Sequence, residues 1–249
     1  MRRALLLVDV QYDFLPPDGA LAVEGGDGIL ERAVYPLLDD EQGWDLVVAS
    51  QDFHPPHHIS FASRHALPPF SSTVVVRDPR TGRDKEQELW PDHCVQGTRG
   101  CEIEEGVRAR MDRLRRSRGE GAVVVVQKGT DLDLDAYSAF SPPLSHPPSA
   151  PAPLTQLLLD RGIEQLVVCG LATDFCVRQT VRSALSPFAP RSPSDKAPWE
   201  VLVVRDGCAA VDAKRGDEVL RELEDQGARV VGVEALLRGQ SRTDEGAER

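Results

Sequence analysis

The sequence predicts an α/β fold, a mostly parallel sheet with helices on both faces. Two observations carry that expectation. Short, continuous apolar runs recur along the chain, as strands buried on both faces require. Between them lie segments whose apolar residues recur at helical spacing, and strand–helix alternation is the signature of a parallel sheet.

Ala4 to Val8 is the first such run and is closed by Asp9. Ile29, Leu30, Ala33, Val34, Leu37 and Leu38 follow at helical spacing, predicting an amphipathic helix over about Gly28 to Asp39, with Pro36 inside it as a kink. Leu46 to Ser50 is the second strand, and Gln51-Asp52-Phe53-His54-Pro55-Pro56 leaves its carboxyl end. Pro55 to Ser72 reads as a loop longer than a connection needs, and Thr73 to Val76 as a short strand. A helix with a basic outer face is expected over Ile103 to Arg116, then a strand from Ala122 to Gln127 ending in Lys128-Gly129-Thr130. Leu154, Leu157 and Leu158 begin a helix that Gly162 ends, and Gln165 to Cys169 is the next strand. Val201 to Val204, a helix marked by Val219, Leu220 and Leu223, and a strand from Arg229 to Val233 complete the pattern. Two Pro/Ser-rich stretches, near 141–153 and 187–198, read as surface insertions. With neither an internal repeat nor a second core in the pattern, residues 1–238 are expected to form one domain, and 239–249 a polar, frayed tail.

Composition narrows the function. Forty acidic residues against 29 basic ones give a net charge of −11, which argues against a general nucleic-acid partner. Five cysteines without C-x-x-C pairs suit neither a disulfide framework nor a cysteine-rich zinc site. Met1-Arg2-Arg3 and the apolar run after it briefly resemble a signal peptide, but Asp9, Gln11 and Asp13 interrupt it. No apolar run approaches the roughly 18 residues of a membrane span. A soluble cytoplasmic protein without a membrane partner is expected.

In open parallel sheets, ligands bind beyond the carboxyl ends of the strands. Those ends carry Asp9, Asp52 with His54, Lys128, and the turn from Gly170 to Val177 that holds Cys176. Thr173 and Asp174 read as the N-cap and first turn of a helix, which would place Cys176 near backbone N–H groups that lower its pKa and make it a nucleophile. A buried structural cysteine is the other reading. Asp9 is the candidate base, and Lys128 would hold it and stabilise negative charge. Asp52 and His54, two apart in extended backbone, can face one ion, with His93 as a third ligand. His57, His58 and His65 compete for that place, Ser60 could support it through water, and solvated loop histidines remain an alternative. Phe14 and Trp90 are candidate pocket walls, with core packing as the alternative.

Six pieces taken together resemble a known family: Asp9 to Phe14, Asp52 to Pro55, Trp90 to Thr98, Gln127 to Gly129, Asp135 to Phe140 and Gly170 to Val177. They are similar to the motifs of the isochorismatase-like cysteine hydrolases, and within them to the nicotinamidases, also called pyrazinamidases. W-P-x-H-C-x-x-G-T over Trp90 to Thr98 is the most specific of them. The resemblance implies a three-layer sandwich and a triad of Asp9, Lys128 and Cys176. It also implies one divalent metal, generally zinc, on Asp52, His54 and His93, binding the pyridine nitrogen of a substrate flanked by Phe14 and Trp90. It further implies a cis peptide between Leu171 and Ala172, and an oxyanion hole from the amides of Ala172 and Cys176. The implied activity is hydrolysis of nicotinamide, and of pyrazinamide, within NAD salvage. Another amidase or carbamoyl hydrolase of the superfamily, or a silent binding protein, are the rival readings. A homo-oligomer is left open, and the two insertions are outside the family pattern.

Overall fold

The structure is a computed structural model that describes residues 1–40, 43–186 and 197–244, with side chains through 238. The strands are β1 (Arg3–Val8), β2 (Leu46–Asp52), β3 (Thr73–Arg77), β4 (Asp84–Glu88), β5 (Val123–Lys128), β6 (Gln165–Leu171), β7 (Glu200–Ala209) and β8 (Arg229–Val231). The α-helices are α1 (Tyr35–Asp39), α2 (Ala62–His65), α3 (Glu105–Arg118), α4 (Pro153–Asp160), α5 (Arg178–Leu185), α6 (Ala213–Asp225) and α7 (Val233–Asp244).

Six strands form one sheet in the order β5-β2-β1-β6-β7-β8, and every pairing in it is parallel. Successive side chains of a strand point to opposite faces, and the core divides accordingly. Leu5, Leu7, Val47, Ala49 and Val167 pack on one face with Leu37 and Leu38 of α1, Met111 and Leu114 of α3, and Leu236 of α7. Ala4, Leu6, Val8, Leu46, Val48 and Val168 pack on the other with Leu154 and Leu158 of α4, Val181 of α5, and Val219 and Leu223 of α6. This is the expected arrangement of helices on both faces.

Register then sets the site. Asp52 pairs with Lys128 across β2 and β5, and Val8 pairs with Gly170 across β1 and β6. The carboxyl ends of four adjacent strands therefore finish together. Gly170, at φ +130°, is where β6 closes on β1: a Cβ there would lie 2.1 Å from the Val8 carbonyl oxygen.

Several local expectations change. The helix carrying Pro36 is not one uniform α-helix; a π-helical turn over Leu30–Val34 runs into α1, and Pro36 sits in the first turn of α1. The long loop after β2 contains α2, and β3 is one arm of a hairpin whose other arm, β4, is not among the strands expected from the sequence. The chain from Val233 is helical through Asp244, so neither a strand to Val233 nor a frayed tail from Gly239 describes it up to that point. The 141–153 stretch is irregular and tied down locally, with Leu144 N–H donating to Asp131 and the Pro142 carbonyl accepting from Arg80. The insertion near 187–198 lies, but for its last two residues, outside the described residues, as does the end of the chain beyond Asp244.

Candidate active site

Asp9 leaves β1 in the left-handed region, at φ 49°, which swings its carboxylate over the sheet edge. Ser50 donates its hydroxyl to Asp9 Oδ1 at 2.7 Å and accepts the Asp9 N–H at 3.2 Å. Lys128, from the end of β5, places Nζ 2.9 Å from Asp9 Oδ2 and 2.5 Å from Asp52 Oδ1. The same nitrogen donates to Cys176 Sγ at 3.4 Å and to the Ala136 carbonyl at 3.2 Å. Asp9, Lys128 and Cys176 thus meet through one ammonium, with all three side chains buried. A carboxylate oxygen of Asp9, one of Asp52 and Cys176 Sγ lie within 4.8 Å of one another, and the ammonium supplies the cation of that group.

Burial raises the pKa of Asp9 while the Lys128 charge works against it, the balance the sequence suggests for a base. Burial alone would push the Lys128 ammonium toward neutrality, but Asp52 and Asp9 hold it charged, well above the ordinary lysine value. Burial also acts to raise Asp52, yet Lys128 and then His54 hold its carboxyl well below the usual carboxylate range. Cys176 contradicts the expectation of a lowered pKa. Its burial pushes the thiol well above the ordinary value, Lys128 opposes that only in part, and Asp9 and Asp52 add to the rise. Nor is Thr173 the N-cap, although Asp174 does fall in the first turn. Ala172 occupies the N-cap, without a side-chain bond, of a π-helical turn over Thr173–Val177 that runs into α5. The peptide between Leu171 and Ala172 is cis, as the resemblance implies.

The three proposed metal ligands also converge: one donor atom each from Asp52, His54 and His93 lie within 4.8 Å of one another. His54 Nε2 stands 3.6 Å from Asp52 Oδ2. Its Nδ1 lies 2.9 Å from the Gly129 carbonyl, and His93 Nδ1 lies 2.7 Å from the Pro91 carbonyl. Carbonyls only accept, so both Nδ1 atoms carry the proton and both Nε2 lone pairs are available, the arrangement seen around ligating histidines. One carboxylate and two such imidazoles suit a divalent transition metal. Gly129, at φ +62°, completes the cradle, since a Cβ would meet His54 Cε1 at 2.3 Å. His58 is less suited: it stacks on His54, and its nitrogens already face Ser60 Oγ at 2.7 Å and the Leu134 carbonyl at 3.3 Å. Ser60 is thereby engaged with His58, His57 is exposed, and His65 bonds the Ile59 carbonyl.

A pocket opens onto Cys176, Asp52, His54 and His93. Phe14 and Trp90 line it as expected. The sequence argument missed Tyr137 and Phe175, which complete an aromatic wall. Trp90 Nε1 donates to the Tyr137 hydroxyl at 3.0 Å, and Trp90 meets Phe175 edge-on at 4.9 Å. Tyr137 lies in one recognised motif and Phe175 is next to the nucleophile, but nothing in their spacing assigns them to a pocket. Gln11 was also missed as a support: its amide bonds both the N–H and the carbonyl of Asp52, at 2.8 Å each.

Residues 135–235 match the isochorismatase domain. A nicotinamidase of Escherichia coli is 34% identical over 215 residues, 86% of each chain. The chain belongs to the nicotinamidase family. Among solved structures, an Acinetobacter baumanii nicotinamidase/pyrazinamidase is 30% identical with a TM-score of 0.71, over 94% of this chain and 98% of its own. A Pyrococcus horikoshii pyrazinamidase in complex with zinc is 28% identical with a TM-score of 0.66, over 93% of this chain and 99% of its own. Cys176 and the Asp52, His54 and His93 cluster share one pocket because each is delivered by a strand end or by the loop that follows one.

Proposed function

We propose that the protein hydrolyses nicotinamide to nicotinate and ammonia through a thioester on Cys176, and accepts pyrazinamide in the same pocket. The observation that carries the reading is the single Lys128 ammonium joining Asp9, Asp52 and Cys176 beneath an aromatic pocket. Nicotinamidase relatives at this identity support it.

Because the free thiol is held protonated, activation falls to Asp9 rather than to a standing thiolate. Asp9 takes the thiol proton as sulfur attacks the amide carbon. The amide oxygen becomes an oxyanion, for which the N–H groups of Ala172 and Cys176 are the assigned donors. Asp9 then gives its proton to the departing nitrogen and ammonia leaves. In the second half, water gives Asp9 a proton as it attacks the thioester, and the proton returns to sulfur as nicotinate is released. Lys128 keeps Asp9 ionised at the start of each half. Phe14, Trp90, Tyr137 and Phe175 hold the ring.

Asp52, His54 and His93 are assigned as the seat of one divalent metal, which we take to be zinc. When bound it supplies a Lewis acid for the pyridine nitrogen and so orients the ring. The remaining parts of the reading are a single hydrolase domain over residues 1–238, a place in NAD salvage, and a cytoplasmic location, which suits five free cysteines.

Ammonia release from nicotinamide tests the reading. Turnover is expected for the native chain and a loss on the order of 10⁴-fold or more for Cys176→Ala, as for other removed nucleophiles. Substantial release by Cys176→Ala would overturn it.

A further inference from the structure

One residue of the pocket wall is also open to solvent. Val211 is 42% exposed, whereas Phe14, Leu21, Val23 and Trp90 are each at most 9% exposed. Val211 therefore stands at the mouth. Its backbone belongs to neither neighbouring element, since β7 ends at Ala209 and α6 begins at Ala213. What holds it is Asp174, a buried carboxylate two residues before the nucleophile. Asp174 Oδ1 accepts the Val211 N–H and Oδ2 accepts the Asp212 N–H, each at 3.0 Å. Asp212 in turn caps α6, accepting the N–H groups of Lys214 and Arg215 at 2.9 and 3.3 Å. A charged acceptor gripping two successive amides is among the stronger hydrogen-bond arrangements. Both oxygens of Asp174 are thus committed across the pocket rim instead of to the turn that carries them.

We propose that Asp174 is a positioning residue that fixes Val211 at the pocket mouth, and that Val211 sets which ring-substituted aromatic carboxamides reach Cys176. The inference rests on the amidase reading above for its substrate class. With the carboxamide carbon at Cys176 inside the pocket, an outward ring edge meets Val211. A single methyl group is discriminated about 10- to 200-fold only where the wall does not yield. The Asp174 clamp supplies that rigidity on a connection whose other anchor among the described residues is the Asp212 cap of α6.

The test compares kcat/KM for nicotinamide and for nicotinamides carrying one methyl at each open ring position, in the native chain and in Val211→Ala, Asp174→Ala and Asp174→Asn. For the isomer whose methyl faces the mouth, Val211→Ala and Asp174→Ala raise the methylated-to-unsubstituted ratio about tenfold or more, mainly through KM. Asp174→Asn, which keeps one acceptor, falls between them and serves in place of Asp174→Ala if that variant does not fold. A purely structural Asp174 would lower both substrates equally and leave the ratio unchanged, which would overturn the proposal. A second readout does not depend on amidase activity: the rates at which iodoacetamide and the bulkier N-phenylmaleimide modify Cys176, located by peptide mass. The bulky-to-small ratio rises in Val211→Ala and in the Asp174 variants; no change in either would overturn the proposal even in a chain inert to nicotinamide. Inertness to nicotinamide with an altered labelling ratio would refute the amidase reading and leave the clamp standing.

Discussion

Replacing Lys128 with methionine tests the electrostatics of the site most directly. The side chain has no exposure and neutralises two carboxylates at once, Asp9 at 2.9 Å and Asp52 at 2.5 Å. Methionine fills most of the same volume, so the packing loss is small and the change is mainly one of charge. Removing one partner of a buried ion pair costs about 3–5 kcal/mol, because an uncompensated charge stays behind. Lys128→Met is therefore expected to lose about that much stability near neutral pH. Denaturant unfolding after chelation measures it, so that bound metal contributes nothing. Asp9 is already raised by burial, against the pull of Lys128. Without Lys128 it rises further, so the folded variant binds a proton that the unfolded chain releases. Its deficit must then shrink as pH falls below the folded-state pKa of Asp9 and reach its full size above it. Adding Asp9→Asn to Lys128→Met removes one stranded charge and should restore part of the loss near neutral pH, which a double-mutant cycle reads out. Lys128→Met should also lose most ammonia release from nicotinamide, because the ammonium that joins Asp9 to Cys176 is gone. A variant as stable as the native chain, or with a deficit independent of pH, would refute this account of the ion pairs.

Three other outcomes follow from the geometry. Gly129→Ala would drive a Cβ into the His54 ring, and zinc affinity measured by competition with a chelating dye should fall at least about tenfold. Gln11→Ala would strand the N–H of Asp52 and leave its carbonyl only the Cys101 thiol at 3.3 Å, and urea unfolding should show a loss of about 1–3 kcal/mol. Alkylation of Cys176 without substrate should rise about tenfold per pH unit from pH 7 to 9, because burial keeps the thiol protonated; a plateau below pH 8 would contradict that.

Much of this was legible in the sequence because both faces of the sheet are covered. Runs such as Leu5 to Val8 and Val47 to Ala49 must be apolar throughout, and the residue that ends each run stands out. Asp9, Asp52 and Lys128 were found that way, Cys176 came from the turn after the Gln165 to Cys169 strand, and the family motifs then favoured Cys176 and His93 over their alternatives. What escaped has a common cause, dependence on neighbours distant in sequence. β4, Asp-Lys-Glu-Gln-Glu, has no apolar pattern and exists because β3 pairs with it. Asp174 reads as a first-turn residue, which it is, but its hydrogen-bond partners lie 37 and 38 residues away. The acidity of Cys176 was misjudged for the same reason: position at a helix start is local, whereas burial beside two carboxylates is not. Tyr137 and Phe175 gain a role only when Trp90 is brought against them.

The shared register of the central strands restricts where the chain can change length. Each added residue in a strand advances its end by about 3.3 Å and turns every later side chain to the opposite layer. One extra residue in β1 would bury what Leu6 covers on the wrong side and carry Asp9 out of reach of Lys128; β2, β5 and β6 are bound likewise. Growth and loss during evolution are thereby channelled into the connections. The stretch over 141–153 illustrates the point: it follows β5 and precedes α4, so it lengthens the chain without shifting any of the four strand ends. Deletions that shorten it should be tolerated, while a single-residue deletion from β1 should not.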